Sequence, residues 1–242
     1  MSRVKPPLLR PHRSIRSFRE EPLAPGLIED LVRAGQEAAT DATAQMYSFV
    51  RVVDRALRAR MATLAGSQEH VARAAEFLVV CADVRRLART LEARGRELGS
   101  FPATALHFAT VDATLAAGRL IDAAEAAGLG TVCIGGILEG IEEIVEELAL
   151  PAGVLPLFGL CLGWPAEQPE TRPRVAVDSV LHVDAYRDAP ADLLDADIAA
   201  MAAITRSRDW VTLLARYFAK GGAMEQRESS WRRLLARQGF RW

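Results

Sequence analysis

Four stretches of the chain carry residue types that can meet a ligand. His12-Arg13-Ser14-Ile15-Arg16-Ser17-Phe18-Arg19 concentrates basic side chains around two apolar ones. Wound as a helix, Arg13 and Arg16 stand one turn apart, so the spacing predicts that both converge on one anion while Ile15 and Phe18 anchor the segment. That is the composition of a phosphate cradle, and equally of a solvated basic loop. A second basic pair, Arg172 and Arg174, flanks Pro173, and the fixed φ of proline stiffens the separation of the two guanidinium groups. Gly135-Gly136 follows the apolar run Thr131-Val132-Cys133-Ile134 and precedes a predicted helix over residues 137–148. Two residues without side chains let a planar ligand lie on the backbone beneath the free amides of a helix start, although a plain tight turn fits the same pair. Residues 38–45, with Thr40, Asp41, Thr43 and Gln45 among alanines, read as a small polar loop able to bring backbone and hydroxyl groups to a ligand.

The elements that must position these stretches follow from hydrophobic spacing. An alanine-dense segment from residue 103 to Gly128 predicts one helix of about 25 residues, on the order of 37 Å long. Asp112, Arg119, Asp122 and Glu125 fall on one arc of it and leave a wide apolar arc, so the helix is covered on most sides. Its small residues, among them Ala113, Ala116, Ala117 and Gly118, permit close helix packing within one chain or against a second copy. Residues 77–82 (FLVVCA) form a continuous apolar run of strand length, hence a strand buried on both faces. Further strands are expected at 46–54, 131–134 and 157–163, with a connector at 151–156. Helices are expected at 25–38, 55–64, 68–76, 191–203 and 210–219, a charged helical excursion at 83–98, and an arginine-rich tail over 225–242 whose Trp231, Leu234, Leu235 and Phe240 must pack on something.

The bulk numbers exclude several classes. At 242 residues the chain can bury a sizeable core. A formal net charge of −1 argues for neither nucleic acid nor a membrane surface. Cys81, Cys133 and Cys161 are odd in number, far apart and each inside an apolar run, which speaks against disulfides and a metal framework and for a reducing cytoplasm. No run reaches the length of a membrane span and no signal peptide is expected. Gly128-Leu129-Gly130 is not a dinucleotide fingerprint, because its glycines lie between helix and strand.

Taken in order, His12 to Arg16, Gly66-Ser67-Gln68-Glu69-His70-Val71, the run 77–83, Gly128 to Gly130, Ile134-Gly135-Gly136, residues 155–165 (LPLFGLCLGWP) and Arg172-Pro173-Arg174 make the chain resemble the oxygen-insensitive flavin nitroreductases, in their NADPH-dependent branch. The resemblance implies an α+β fold with a mainly antiparallel sheet sandwiched by helices and an entwined homodimer with two FMN sites at the subunit interface. It implies a domain over residues 1–190 with the excursion at 83–100, and a C-terminal helical arm over 191–242 that packs on the partner. FMN phosphate and ribityl oxygens would meet His12, Arg13, Ser14, Arg16, Arg172 and Arg174. Thr40, Asp41 and Gln68, with Gln45 near, would lie by the ring or ribityl chain. Cys133, Ile134, Gly135 and Gly136 would line the ring, a backbone amide near Gly135 facing N5. Arg206 or Arg208 would take the 2′-phosphate of NADPH, the co-substrate, with nitroaromatics, quinones or flavins as acceptors in a ping-pong cycle. No side-chain acid or base is called for, since the flavin carries the chemistry.

The loop 40–43 departs from the family's serine- and asparagine-rich pattern. A carboxylate at Asp41 beside the flavin would disfavour the anionic reduced form and lower its potential. A flavin-binding or redox-sensing protein with little turnover is the alternative that this loop keeps open. A nucleic-acid regulator is disfavoured by the acidic and apolar residues interleaved in the tail.

Overall fold

The computed structural model describes residues 11–204 and 209–240. Its elements run α1 Leu27–Gln36, β1 Tyr47–Arg51, α2 Arg55–Leu64, α3 Glu69–Arg73, β2 Glu76–Asp83, α4 Arg85–Glu92, α5 Pro102–Ala126, β3 Gly130–Ile134, α6 Ile141–Glu147, β4 Val154–Gly163, α7 Ala191–Met201, α8 Trp210–Phe218 and α9 Ala223–Arg237. The chain divides into two compact units, one of residues up to 169 together with those from 230 onward, the other of residues 170–229.

In the first unit four strands form one antiparallel sheet in the order β1-β2-β4-β3. β2, the apolar run, lies inside the sheet and every one of its residues is buried. Its side chains alternate between two cores: Phe77, Val79 and Cys81 enter one, Leu78 and Val80 the other. α5 serves both, giving Ala105 and Ala109 to the first and Ala113, Ala116, Ala117, Leu120 and Ala124 to the second. A helix this rich in alanine presents backbone close to its neighbours, as the spine of a two-layered core requires.

Three expectations change. β4 starts at Val154, three residues before the predicted strand, because Pro156 sits where the β2–β4 register shifts between Val80 and Cys81. A bulge is a position in a paired strand where a missing N–H is tolerated. Asp112 does not share the solvent-facing arc of α5; it is 1% exposed, turned into the core. Nor is α5 covered on all its apolar positions, since Val111 and Leu115 are open by 41% and 46%.

Residues 230–240 return to the first unit, where Leu234, Leu235 and Phe240 are buried and Trp231 packs against the core. Gln238 Nε2 donates to the Val154 carbonyl at 2.8 Å, and Gly153 N donates to the Gln238 carbonyl at 2.9 Å. By its contacts the chain separates after residue 169 and again before residue 230.

In the second unit Asp197 of α7, nearly buried, accepts from Ala176 N at 2.7 Å and Ser179 Oγ at 2.6 Å, tying a short turn to the helix. Val177, Val180, Leu181, Val183, Tyr186 and Phe218 remain well exposed. Among the described residues no helix is long and apolar enough to cross a membrane.

Candidate active site

The basic segment is extended, not helical. Ile15 N donates to the Thr131 carbonyl at 2.9 Å, and Ser14 forms a parallel bridge with Thr131, so residues 13–16 lie along the outer edge of β3. Further on, Arg19 N donates to the Trp164 carbonyl and Ala166 N to the Ser17 carbonyl, both at 2.9 Å. Ile15 is the anchor, 6% exposed, and it presses on Gly130, where an added Cβ would stand 2.6 Å from Ile15 Cγ1. Glycine at 130 is therefore what lets the segment lie flat on β3.

Extension changes which residues converge. Successive side chains of an extended strand point to opposite sides, so His12, Ser14 and Arg16 share one side and Arg13 departs with Ile15. His12 Nε2 is 3.3 Å from Ser14 Oγ, and Arg16 Nη1 donates to the Ser14 carbonyl at 3.4 Å. Arg13 instead lines a cavity of about 760 Å³ with Arg19, Gly128, Gly130 and Glu167, and its buried Nε has no hydrogen-bond partner among the described residues. The convergence of Arg13 with Arg16 is thus replaced by that of His12, Ser14 and Arg16.

Glu167, which carries no motif in the sequence, fixes this segment from the other end. Its Oε1 accepts from Arg16 N at 2.5 Å and Ser17 N at 2.9 Å. A carboxylate seated on two successive amides holds the local backbone direction, and with it the line along which Arg16 leaves the chain. His70 is close enough for the Arg16 charge to act on it. Burial first, then that charge, hold its imidazole below the ordinary histidine value, and its buried Nε2 has no hydrogen-bond partner among the described residues.

The glycine pair closes β3. Gly135–Leu138 is a short 3₁₀ turn after Ile134, which is buried, whereas Cys133 is exposed. Although the residue is exposed, neighbouring atoms strip part of the thiol's hydration, and that loss, then the Glu125 charge, push the Cys133 thiol up, so it is no ready nucleophile. A Cβ at Gly136 would fall 2.2 Å from Gln68 Nε2 and 2.4 Å from the Ala65 carbonyl oxygen, while a Cβ at Gly135 would meet nothing within 4 Å. Gln68 Nε2 donates to that same carbonyl at 2.6 Å. One glycine is needed for close approach, then, and its neighbour leaves a bare stretch of backbone beside Gln68.

The loop with Thr40, Asp41 and Gln45 is built against α5. Asp112 accepts from Asp41 N through Oδ1 and from Met46 N through Oδ2, both at 2.9 Å. Between these anchors Ala42, Thr43 and Gln45 adopt left-handed backbone, with φ of 46°, 56° and 50°. Each costs about 1–2 kcal/mol in a residue with a Cβ, and such strain persists where the surroundings impose it. Arg86 clasps the Gln45 and Tyr47 carbonyls from outside. Asp112 and Glu125 are thirteen positions apart on α5, roughly 20 Å along its axis.

Arg172 and Arg174 belong to the second unit, where both are exposed and Arg174 Nη1 donates to the Arg172 and Pro173 carbonyls at 3.0 Å. Arg206 and Arg208 lie outside the described residues.

Residues 9–164 match the model of the nitroreductase family. The chain is 42% identical over 187 residues to an oxygen-insensitive NADPH nitroreductase of Salmonella typhimurium, covering 77% of this chain and 76% of that one. It is 37% identical over 177 residues to an FMN reductase (NADPH) of Bacillus subtilis, covering 72% and 71%. Among solved structures, nitroreductase A from Vibrio parahaemolyticus superposes with a TM-score of 0.84 at 32% identity over 94% of each chain. With the extended basic segment, the glycine turn beside Gln68 and the surrounding sheet all in place, the chain belongs to the nitroreductase family.

Proposed function

We propose that the protein is an FMN-dependent NADPH oxidoreductase whose phosphate end is built on His12, Ser14 and Arg16. The observation that carries the reading is the bare backbone at Gly135, next to a Gly136 packed against Gln68, at the end of the strand along which the basic row lies. These residues fit FMN. A flat ring needs backbone without side chains, the ribityl chain needs an amide such as Gln68, and a phosphate needs a cationic row. The partnerless Nε2 of His70, within reach of the Arg16 charge, adds a polar atom on the same side of that requirement.

Bound there, FMN would supply hydride-transfer chemistry between NADPH and a nitroaromatic, a quinone or a flavin, in a cycle where one substrate leaves before the next enters. The protein's part is positional. Arg16, directed by Glu167, would neutralise phosphate charge together with His12 and Ser14. Gly135 offers its backbone amide to the ring, Ile134 and Cys133 border it, and Thr40 and Asp41 approach it. Arg206 or Arg208 receives the 2′-phosphate of NADPH. The Salmonella relative's name, an NADPH nitroreductase, and the Bacillus relative's, an FMN reductase using NADPH, support this assignment of cofactor and co-substrate.

We also propose a homodimer. The open Val111 and Leu115 on α5, and the exposed apolar residues of 177–186, supply surface for a second copy. Sedimentation at the mass of one chain would contradict it.

Steady-state oxidation of NADPH with an added quinone or nitroaromatic tests the reading. Turnover that depends on added acceptor and on bound FMN is expected; FMN bound without turnover would favour a flavin-binding or sensing protein instead.

A further inference from the structure

Glu125 is the last charged residue of α5, in the final turn of a 25-residue helix that carries no basic residue there. A carboxylate at that end faces the negative pole of the helix dipole, an unfavourable placement of a few tenths to 1 kcal/mol for an exposed group. Yet its side chain is only 18% exposed, and one of its oxygens holds two partners. Oε1 lies 2.6 Å from His12 Nδ1 and accepts from Thr131 Oγ at 3.0 Å. Thr131 is completely buried in β3, at the bridge that carries Ser14. The carboxylate is therefore tied at once to the sheet and to the first residue of the basic row.

We propose that Glu125 is a positioning residue for the phosphate of the flavin, acting through His12, an inference that rests on the FMN reading above. A carboxylate only accepts hydrogen bonds, so Nδ1 of His12 carries the proton and the ring's orientation is set. A phosphate only accepts, so the ring meets it as the imidazolium, with Nδ1–H held by Glu125 and Nε2–H, which stands beside Ser14 Oγ at 3.3 Å, left to donate to the ligand. Without Glu125 the ring is free to turn over and present either nitrogen, and a side chain open by 41% has room to do so. The carboxylate behind the ring thus both orients it and favours its cationic form, the form with a second N–H to give to an anion. The arrangement also gives a role to an acidic residue within an otherwise cationic cradle, since Oε1 of Glu125 is held by His12 and Thr131.

The test uses two flavins that differ only in the phosphate. Kd values for FMN and riboflavin are measured by flavin fluorescence on the wild type, Glu125→Gln, His12→Asn and the double variant. Each single change is expected to weaken FMN on the order of tenfold, the loss of one charge-assisted hydrogen bond. The double variant loses no more than either single one, and riboflavin stays within about twofold throughout. Unchanged riboflavin binding also shows that each variant is folded. Equal weakening of both flavins would assign Glu125 a general packing role and overturn the proposal, as would additive losses in the double variant or FMN binding unaffected by Glu125→Gln. A wild type that binds FMN no better than riboflavin would instead overturn the phosphate placement itself.

Discussion

Asp112→Ala is expected to lower the stability of the fold by about 2–5 kcal/mol, read as a shift of the urea unfolding midpoint at unchanged slope. The side chain is 1% exposed and each of its oxygens takes one backbone N–H, from Asp41 and from Met46. Alanine leaves two donors unpaired, each costing about 1–3 kcal/mol where water cannot replace the carboxylate. It also removes what holds Ala42, Thr43 and Gln45 in left-handed backbone, so the loop relaxes and the cost falls partly on the site. Asp112→Asn separates the two effects. It is nearly isosteric but offers one acceptor, and its NH₂ opposes the second amide, so it should lose less stability than alanine while still disturbing the loop. A midpoint unchanged in Asp112→Ala would show that these amides are satisfied some other way.

Gly136→Ala is expected to reduce FMN retention at least on the order of tenfold and to destabilise the fold by about 1–3 kcal/mol, the usual range for overpacking. One of the two close neighbours of the added methyl is movable, Gln68 Nε2 at 2.2 Å. The other is not, because the Ala65 carbonyl at 2.4 Å is main chain at the end of α2. The turn must therefore shift, carrying Gly135 and its amide with it. Gly135→Ala is the matched control for stability, since its Cβ has open space. It should leave stability close to wild type and impair flavin binding by covering the bare backbone. Normal FMN binding by Gly135→Ala would place the ring elsewhere.

Local signals made some of this legible from the sequence alone. The apolar run of β2, the alanine density of α5 and the limits of α2 are written in consecutive residues, and the structure follows them closely. What the sequence obscured depends on partners far along the chain. An i, i+3 spacing of arginines reads as a helical face until Thr131 pairs with Ser14 and makes the segment extended, and then alternation, not helical turn, decides which side chains converge. Asp112 reads as one more charge on a solvent arc because its partners are main-chain amides 71 and 66 residues away, and amides leave no residue type to recognise. Glu167 escaped for the same reason, its amide partners lying 151 and 150 residues off, and Glu125 because its imidazole partner His12 lies 113 residues away. Pro156 disguised the start of β4 because a bulge has no signature on its own strand.

The most direct measurement is the absorbance spectrum of the purified protein, taken without oxygen before and after NADPH is added. The account predicts oxidised-flavin bands that bleach with NADPH and return when a quinone or nitroaromatic follows, which reports FMN binding, hydride acceptance and hydride donation in one sample. Protein that shows no flavin bands even after incubation with FMN would contradict the account at its centre.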